Sequence, residues 1–320
     1  MNVTNLILDF VRVTEDAAIA CSALTGAGDR KEADRLATEA MRSAFNTIPF
    51  SGTIVIGEGE RDEAPMLFIG EKVGKGGIEV DIAVDPLEGT NLCAEDRAGA
   101  ITVMAIGPKG SLKHAPDTYM NKIVVGPQVT EKISLAYTLE ENLDIIARAY
   151  DCDIEDLNII VMKRSRHDQL VKDIRALGAK IRFIDDGDVF GGLSALMAEE
   201  TGVHALIGIG AAPEGVITAC AVKALGGQME GQFMPYDGDM KEIQQDVVER
   251  MHQMGIADIQ KRYTADELAC GDNVIFIATG VTSGEILQGI ESDGEYLMTD
   301  SIVISSEDKT IRTIQTKHLM

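Results

Sequence analysis

Residues 84–91 read VDPLEGTN, which sets two carboxylates three positions apart beside a hydroxyl. Val80, Ile82 and Val84 alternate as on a strand, and Asp85 stands at its end. Pro86 fixes its own φ and gives the ladder no hydrogen bond, so a turn is expected across Pro86 and Leu87. Such a turn brings Asp85 and Glu88 to one side, whereas a continuing strand would face them oppositely. Gly89 allows close backbone approach, and Thr90 offers a hydroxyl beside both acids. Two hard oxygen ligands, with the Leu87 carbonyl and a nearby hydroxyl, suit Mg²⁺ or Mn²⁺. A Pro-initiated surface turn with solvated acids is the other reading of the same residues.

Further acids lie elsewhere. GEGERDEAP (57–65) follows the strand-like TIVI, and of Glu58 and Asp62 one can ligate a metal while the other takes a proton from water; taken alone, the stretch reads rather as a charged loop. Asp34 aligns with Ala37 and Met41 on a helical stripe, an edge position where a carboxylate usually has a partner or a cation, or else is a solvated boundary residue. Glu214 follows Pro213 in what reads as a first helical turn, near the positive end of the helix dipole, where it is either a ligand held ionised or a routine first-turn glutamate. KRSRHD (163–168) follows the strand-like NIIVM, and Arg164, Arg166 and His167 there either hold a phosphate, which better explains cations at a helix N-terminus, or form a solvated helix start. Asp186 and Asp188 end the next strand, where they accept from sugar hydroxyls or cap a helix. Tyr119 is either a phosphate or hydroxyl donor or a packed ring. Other signals fail. GIGAAP lacks the third glycine of a dinucleotide loop, GEKVGKGG lacks Walker A spacing, and DDGDV lacks the later EF-hand oxygens.

These side chains need positioning elements. Leu6, Phe10, Val13, Ala17, Cys21 and Leu24 mark one face of a first helix. Ala33, Leu36, Ala37, Ala40, Met41 and Phe45 mark a second, with Asp29 and Glu32 as a capping box. GTIVIG (52–57), EVDIAV (79–84), AITVMAIG (100–107) and KIVVG (122–126) read as strands in an α+β half. From about residue 140 strands alternate with helices, and NVIFIATG (273–280) continues that βαβ series, so a parallel sheet is expected. The boundary is expected near 140–155, dividing the chain into 1–150 and 151–320.

The 320 residues are 45% apolar, enough for a substantial core, and only 4% aromatic, with no Trp for base stacking. A net charge of −23 disfavours nucleic acid and anionic membrane, and would repel an anionic metabolite unless cations intervened. The five cysteines show no CxxC and are expected to be buried, reduced thiols. The first residues do not read as a signal peptide, and no apolar run reaches the roughly 20 residues of a membrane span.

Taken in order, RVTEDAA, GDRKEAD, GTIVIGEGERDEAPML, VDIAVDPLEGT, HAPDTYM, SRHD, DDGDV, APEGV and NVIFIATGVT resemble class II fructose-1,6-bisphosphatase, the bacterial type, across almost the whole chain. DPLEGT also resembles the wider lithium-sensitive, inositol-monophosphatase-like superfamily, in which the second acid is normally Asp. The resemblance implies an α/β protein with an α+β N-terminal half, layered as an αβαβα sandwich of the inositol-phosphatase type. It implies a cytoplasmic enzyme of sugar metabolism and a homo-oligomer, dimer or tetramer, using two or three Mg²⁺ or Mn²⁺ ions. Asp34, Glu58, Asp85, Glu88 and Glu214 are then metal ligands, with the Leu87 carbonyl beside them. Asp62 and Thr90, with Glu58, activate or orient a water. Glu88, Gly89, Thr90, Tyr119, Arg164, Ser165, Arg166, His167, Asp186, Gly187, Asp188 and the Ala211 backbone meet the substrate. Arg164-Ser165 stands where the family often has Lys-Pro, and Ala211 where it often has Gly. The implied reaction removes the 1-phosphate of D-fructose 1,6-bisphosphate. The alternatives are sedoheptulose 1,7-bisphosphate or an inositol phosphate as substrate, or a non-catalytic metal- or nucleotide-binding protein.

Overall fold

Phe10, Val13, Ala17 and Cys21 are fully buried along one stripe of α1 (Ile7–Ser22), as are Ala33, Ala37, Met41 and Phe45 along α2 (Arg30–Phe45). Each segment is a helix with one apolar face to cover, and the sheet below supplies the cover. Asp29 caps α2 by accepting the Glu32 amide at 3.1 Å. The expected reciprocal arm is missing, because the Glu32 carboxylate pairs with Arg35 at 2.6 Å instead.

The computed structural model describes residues 3–59, 65–236 and 240–320. After α2 come β1 (Phe50–Ile56), β2 (Lys72–Val73), β3 (Ile78–Glu88), α3 (Thr90–Ala94) and β4 (Ile101–Pro108). Next are β5 (Tyr119–Val125), α4 (Leu139–Ala149), β6 (Asn158–Met162), α5 (Asp168–Ala176), β7 (Lys180–Ile184), α6 (Asp188–Leu196) and α7 (Ala198–Thr201). They lead to β8 (Ala205–Ala211), α8 (Ala212–Leu225), β9 (Gln228–Met234), α9 (Gln245–Gln253), β10 (Arg262–Thr264) and α10 (Ala265–Leu268). The chain closes with β11 (Ile275–Gly280), β12 (Glu291–Ser292), β13 (Tyr296–Ser305) and β14 (Thr310–Leu319).

Two units result, residues 1–112 with 271–320, and 113–270. This mixed α/β class is the expected one, but the division is not the expected 1–150 and 151–320. The KIVVG run lies in β5, which pairs with β8 and β9 of the second unit. NVIFIATG becomes β11, which lies antiparallel between β4 and β13 in the first sheet and does not extend a parallel series. Local alternation marks a strand but not its partner, so pairing across more than 160 residues left no local trace.

The first unit holds a sheet in the order β12-β13-β11-β4-β3-β1-β2, with β14 on β13. Among its described strands only β1 and β3 run parallel. Phe10, Phe45 and Phe50 meet in its core, Phe10 edge-on to Phe50 at 5.0 Å between centroids. The second unit holds β10-β9-β5-β8-β6-β7, parallel across β8-β6-β7 and antiparallel in the rest. Ile123, Val125, Ile159, Val161 and Ile207 join the core formed with α4 and α5. On the other face Gly191 of α6 rests against Ile160 and Leu206.

The 84–91 stretch corrects the expected turn. β3 continues through Pro86 to Glu88, with Asp85 opposite Val103 and Glu88 opposite Ile101. Three steps along β3 therefore match two along β4, which is a β-bulge with one extra residue. Val103 and Ile101 share a face, so Asp85 and Glu88 share one too. A bulge also tolerates the missing N–H of Pro86.

Candidate active site

In the first unit Asp85 and Glu88 each place a carboxylate oxygen within 4.8 Å of the other. Asp85 Oδ1 accepts the Leu87 amide at 3.1 Å, which holds the bulge in shape. Glu88 is buried and Asp85 half-buried. Gly89 turns the chain with φ +85°, a left-handed conformation suited to glycine, and Thr90 opens α3 directly after it. Glu58 follows the carboxyl end of β1. Ile56 pairs with Ala83 in the parallel neighbour, so Glu58 and Asp85 each stand two residues beyond that pair. The Glu58 amide donates to the Leu67 carbonyl at 3.1 Å. Asp34 is half-buried on α2, and burial raises its carboxyl above the usual range. Arg30, on the same helix, donates to Asn91 of α3 at 3.0 Å, tying the Asp34 helix to the turn that carries Thr90. Asp62 lies outside the described residues.

In the second unit Tyr119 pairs in register with Ala211. The Arg166 guanidinium lies 4.8 Å from the centre of the Tyr119 ring and donates to the Ile209 carbonyl from Nε at 3.0 Å and Nη2 at 2.9 Å. Arg164 donates to the Lys163 carbonyl at 3.0 Å, and Ser165 is exposed. Asp186 is half-buried, and Gly187 (φ +86°) turns the chain into α6. Glu214 sits in the first turn of α8 after Pro213. Burial pushes its carboxyl up to about 7, against the pull of the Lys122 charge. Its Oε2 is buried and has no hydrogen-bond partner among the described residues. An orphaned buried carboxylate oxygen is costly, and a cation satisfies it.

Two expected contacts come out differently. His167, expected to meet substrate, is buried, and both ring nitrogens are committed to backbone. Nε2 accepts the Ile209 amide at 2.8 Å, so Nδ1 carries the proton and donates to the Met162 carbonyl at 2.6 Å. Burial lowers its pKa and keeps the ring neutral. His167 therefore braces the loop that carries Arg166. Asp188 is neither open nor a conventional cap. It is buried, begins α6, and pairs with the ammonium of Lys122.

Residue type and spacing do not single out Lys122. Its only signal was a lysine inside an apolar strand pattern, in register between Gly208 and Gly231 on the neighbouring strands. Also missed was the buried Glu71, which receives Arg42 Nε at 2.6 Å and the Leu67 amide. The cysteine expectation of burial holds for Cys21, Cys93 and Cys220, whereas Cys152 is partly exposed and Cys270 exposed.

Paired hard oxygen donors in one unit, and an orphaned buried carboxylate together with two loop arginines in the other, are the donor chemistry of divalent cations and phosphate esters. Residues 4–318 match the family model described as bacterial fructose-1,6-bisphosphatase, glpX-encoded. A Gloeobacter violaceus protein named D-fructose 1,6-bisphosphatase class 2/sedoheptulose 1,7-bisphosphatase is 46% identical, over 98% of this chain and 95% of that relative. A Prochlorococcus marinus protein of the same name is 47% identical, over 100% of this chain and 97% of the relative. One from Synechococcus is 44% identical, over 98% and 95%.

Proposed function

The chain belongs to the bacterial, glpX-encoded fructose-1,6-bisphosphatase family, and from that premise we propose how its residues divide the work. The enzyme hydrolyses the 1-phosphate of D-fructose 1,6-bisphosphate to fructose 6-phosphate and phosphate, a step of carbohydrate metabolism. Like its family it depends on a divalent metal, and Mg²⁺ or Mn²⁺ suits the all-oxygen donor set. Asp34, Glu58, Asp85, Glu88 and Glu214, with the Leu87 carbonyl, would hold the ions. A divalent ion held there supplies Lewis acidity and counter-charge to the phosphoryl oxygens.

The observation that carries this assignment is the bulge that sets Asp85 and Glu88 on one face within 4.8 Å. Thr90, at the start of α3 beside them, would orient the attacking water through its hydroxyl, with Asp62 or Glu58 accepting the proton. Arg164 and Arg166 would anchor the distal phosphate by charge-assisted hydrogen bonds, turning binding energy into alignment. Tyr119, Ser165, Asp186, Gly187, Asp188 and the Ala211 backbone would meet the sugar and its phosphates, Asp188 through the oxygen not paired to Lys122. His167 is left to its bracing role. A cytoplasmic homo-oligomer, dimer or tetramer, fits a metabolic enzyme in which no described helix is long and apolar enough to cross a membrane.

A second reading is that sedoheptulose 1,7-bisphosphate is also a substrate, as the names of the relatives say of them. Phosphate release from fructose 1,6-bisphosphate, sedoheptulose 1,7-bisphosphate and inositol 1-phosphate tests both. Turnover of the first is expected, and of the second if the pocket admits a longer sugar. Turnover of inositol 1-phosphate alone would overturn the assignment.

A further inference from the structure

Lys122 is 1% exposed, and a buried ammonium is costly unless it is paired and hydrogen-bonded. Its Nζ forms an ion pair with Asp188 Oδ2 and donates to the Ala211 carbonyl at 2.9 Å. Asp188 is the first residue of α6, and Ala211 is the last residue before α8. One ammonium thus joins the starts of two helices.

The surroundings are shaped to allow this. A Cβ on Gly210 would lie 2.2 Å from Asp188 Oδ2, so only glycine leaves the carboxylate its place. A Cβ on Gly215, in the first turns of α8, would lie 2.6 Å from Met120 Sδ and 3.7 Å from Lys122 Nζ, so α8 approaches β5 closely there because that position is bare. A Cβ on Gly231 would lie 2.5 Å from Met120 Sδ on the same face. These glycines frame a cradle around the Lys122 arm.

We propose that Lys122 is a positioning residue of the phosphatase site, its ammonium fixing Asp188 and the Ala211 peptide, and through the start of α8 the Glu214 carboxylate, where substrate and cation need them. The inference rests on the assignment of Asp188, Ala211 and Glu214 given above. Lys122 itself touches neither substrate nor cation in this scheme. Two forces hold it: the pairing with Asp188, and the hydrogen bond that keeps Ala211 in register with Tyr119.

The test uses the full chain and measures three properties of each folded variant: melting temperature, the split between kcat and KM on fructose 1,6-bisphosphate, and affinity for Mn²⁺ alone by calorimetry. Lys122→Gln keeps a neutral donor and removes the charge. Well below its melting temperature it is expected to lose kcat and Mn²⁺ affinity, each on the order of tenfold or more. Lys122→Arg keeps the charge on a different arm and is expected to recover part of the loss. Gly210→Ala keeps every charge and displaces Asp188 by steric contact, so it is expected to show the same kinetic deficit. It decides the question if Lys122→Gln does not fold. Folded variants with lowered melting temperature but parental kcat, KM and Mn²⁺ affinity would reduce Lys122 to a structural residue and overturn the proposal. Asp85→Asn is the control for the metal site. If it binds Mn²⁺ as the parent does, the metal assignment fails whatever the Lys122 variants do. If it loses Mn²⁺ while Lys122→Gln and Gly210→Ala keep it with parental kinetics, only the role of Lys122 fails.

Discussion

Thr90 and His167 show how far a residue's type predicts its work. Thr90 follows the left-handed Gly89 and opens α3 beside the paired acids, so its hydroxyl is held by backbone geometry. Thr90→Ala is expected to bind Mn²⁺ like the parent and to lose turnover by roughly a hundredfold or more. Parental turnover would remove the hydroxyl from the reaction. His167 reads in sequence as a phosphate contact because it sits among arginines, yet it is spent on the backbone amide of Ile209 and the carbonyl of Met162. Its folded pKa is depressed by burial below the ordinary 6.5. That of His204, which accepts the Asn158 amide at 2.9 Å, is depressed too, by burial and by Lys180. A histidine held neutral contributes stability that is fully present above the unfolded pKa and is lost as pH falls below about 6.5 towards the folded value. The two histidines are therefore expected to lower the melting temperature between neutral pH and mildly acidic pH, against the opposite pull of the raised Glu214 and Asp34 carboxyls, and His167→Gln should remove part of the histidine contribution to the slope. An equal slope in the variant would show that His167 does not carry it. Lys122 was illegible for the opposite reason: one charged residue in an apolar run gives no hint of a partner 66 positions away.

The elements were the most legible level, because period and burial are local. The helical stripes of α1 and α2 are buried where the spacing puts them. The strand β3 was read correctly to Asp85, and its continuation was not. Pro86 forbids a ladder hydrogen bond, and both a turn and a bulge obey that restriction. Only the pairing with β4 distinguishes them. Glu58 and residues 67–71 are linked by a similar non-local device. Glu71 accepts the Leu67 amide and the Arg42 guanidinium, Leu67 is buried with φ +53°, and the Leu67 carbonyl takes the Glu58 amide. Glu71 thus anchors a left-handed leucine that steadies Glu58. In Glu71→Gln the side chain offers one oxygen to the buried Leu67 amide and the partly exposed Arg42 guanidinium, and loss of the acceptor for the buried amide costs roughly 1–3 kcal/mol. The variant is expected to melt earlier in thermal denaturation and, because Glu58 loosens, to require more Mn²⁺ for half-maximal activity. An unchanged Mn²⁺ requirement would confine Glu71 to stability.

At the scale of the whole molecule, the fold class follows from composition and the alternation of elements, but the division into units does not. The last 50 residues return to the first sheet through β11, because β4 and β13 offer antiparallel partners on either side. Nothing in their local pattern separates them from the βαβ series before them. The excess of acid over base, a net −23, is the broadest clue to function, since an enzyme so anionic needs cations to accept a bisphosphate. That dependence is measured most directly by phosphate release from fructose 1,6-bisphosphate after the enzyme is stripped with EDTA and then titrated with Mn²⁺ or Mg²⁺. A divalent-metal site built on Asp85 and Glu88 predicts no release from the stripped enzyme, full recovery on titration, and no recovery in Asp85→Asn. Undiminished release from the stripped enzyme would contradict it.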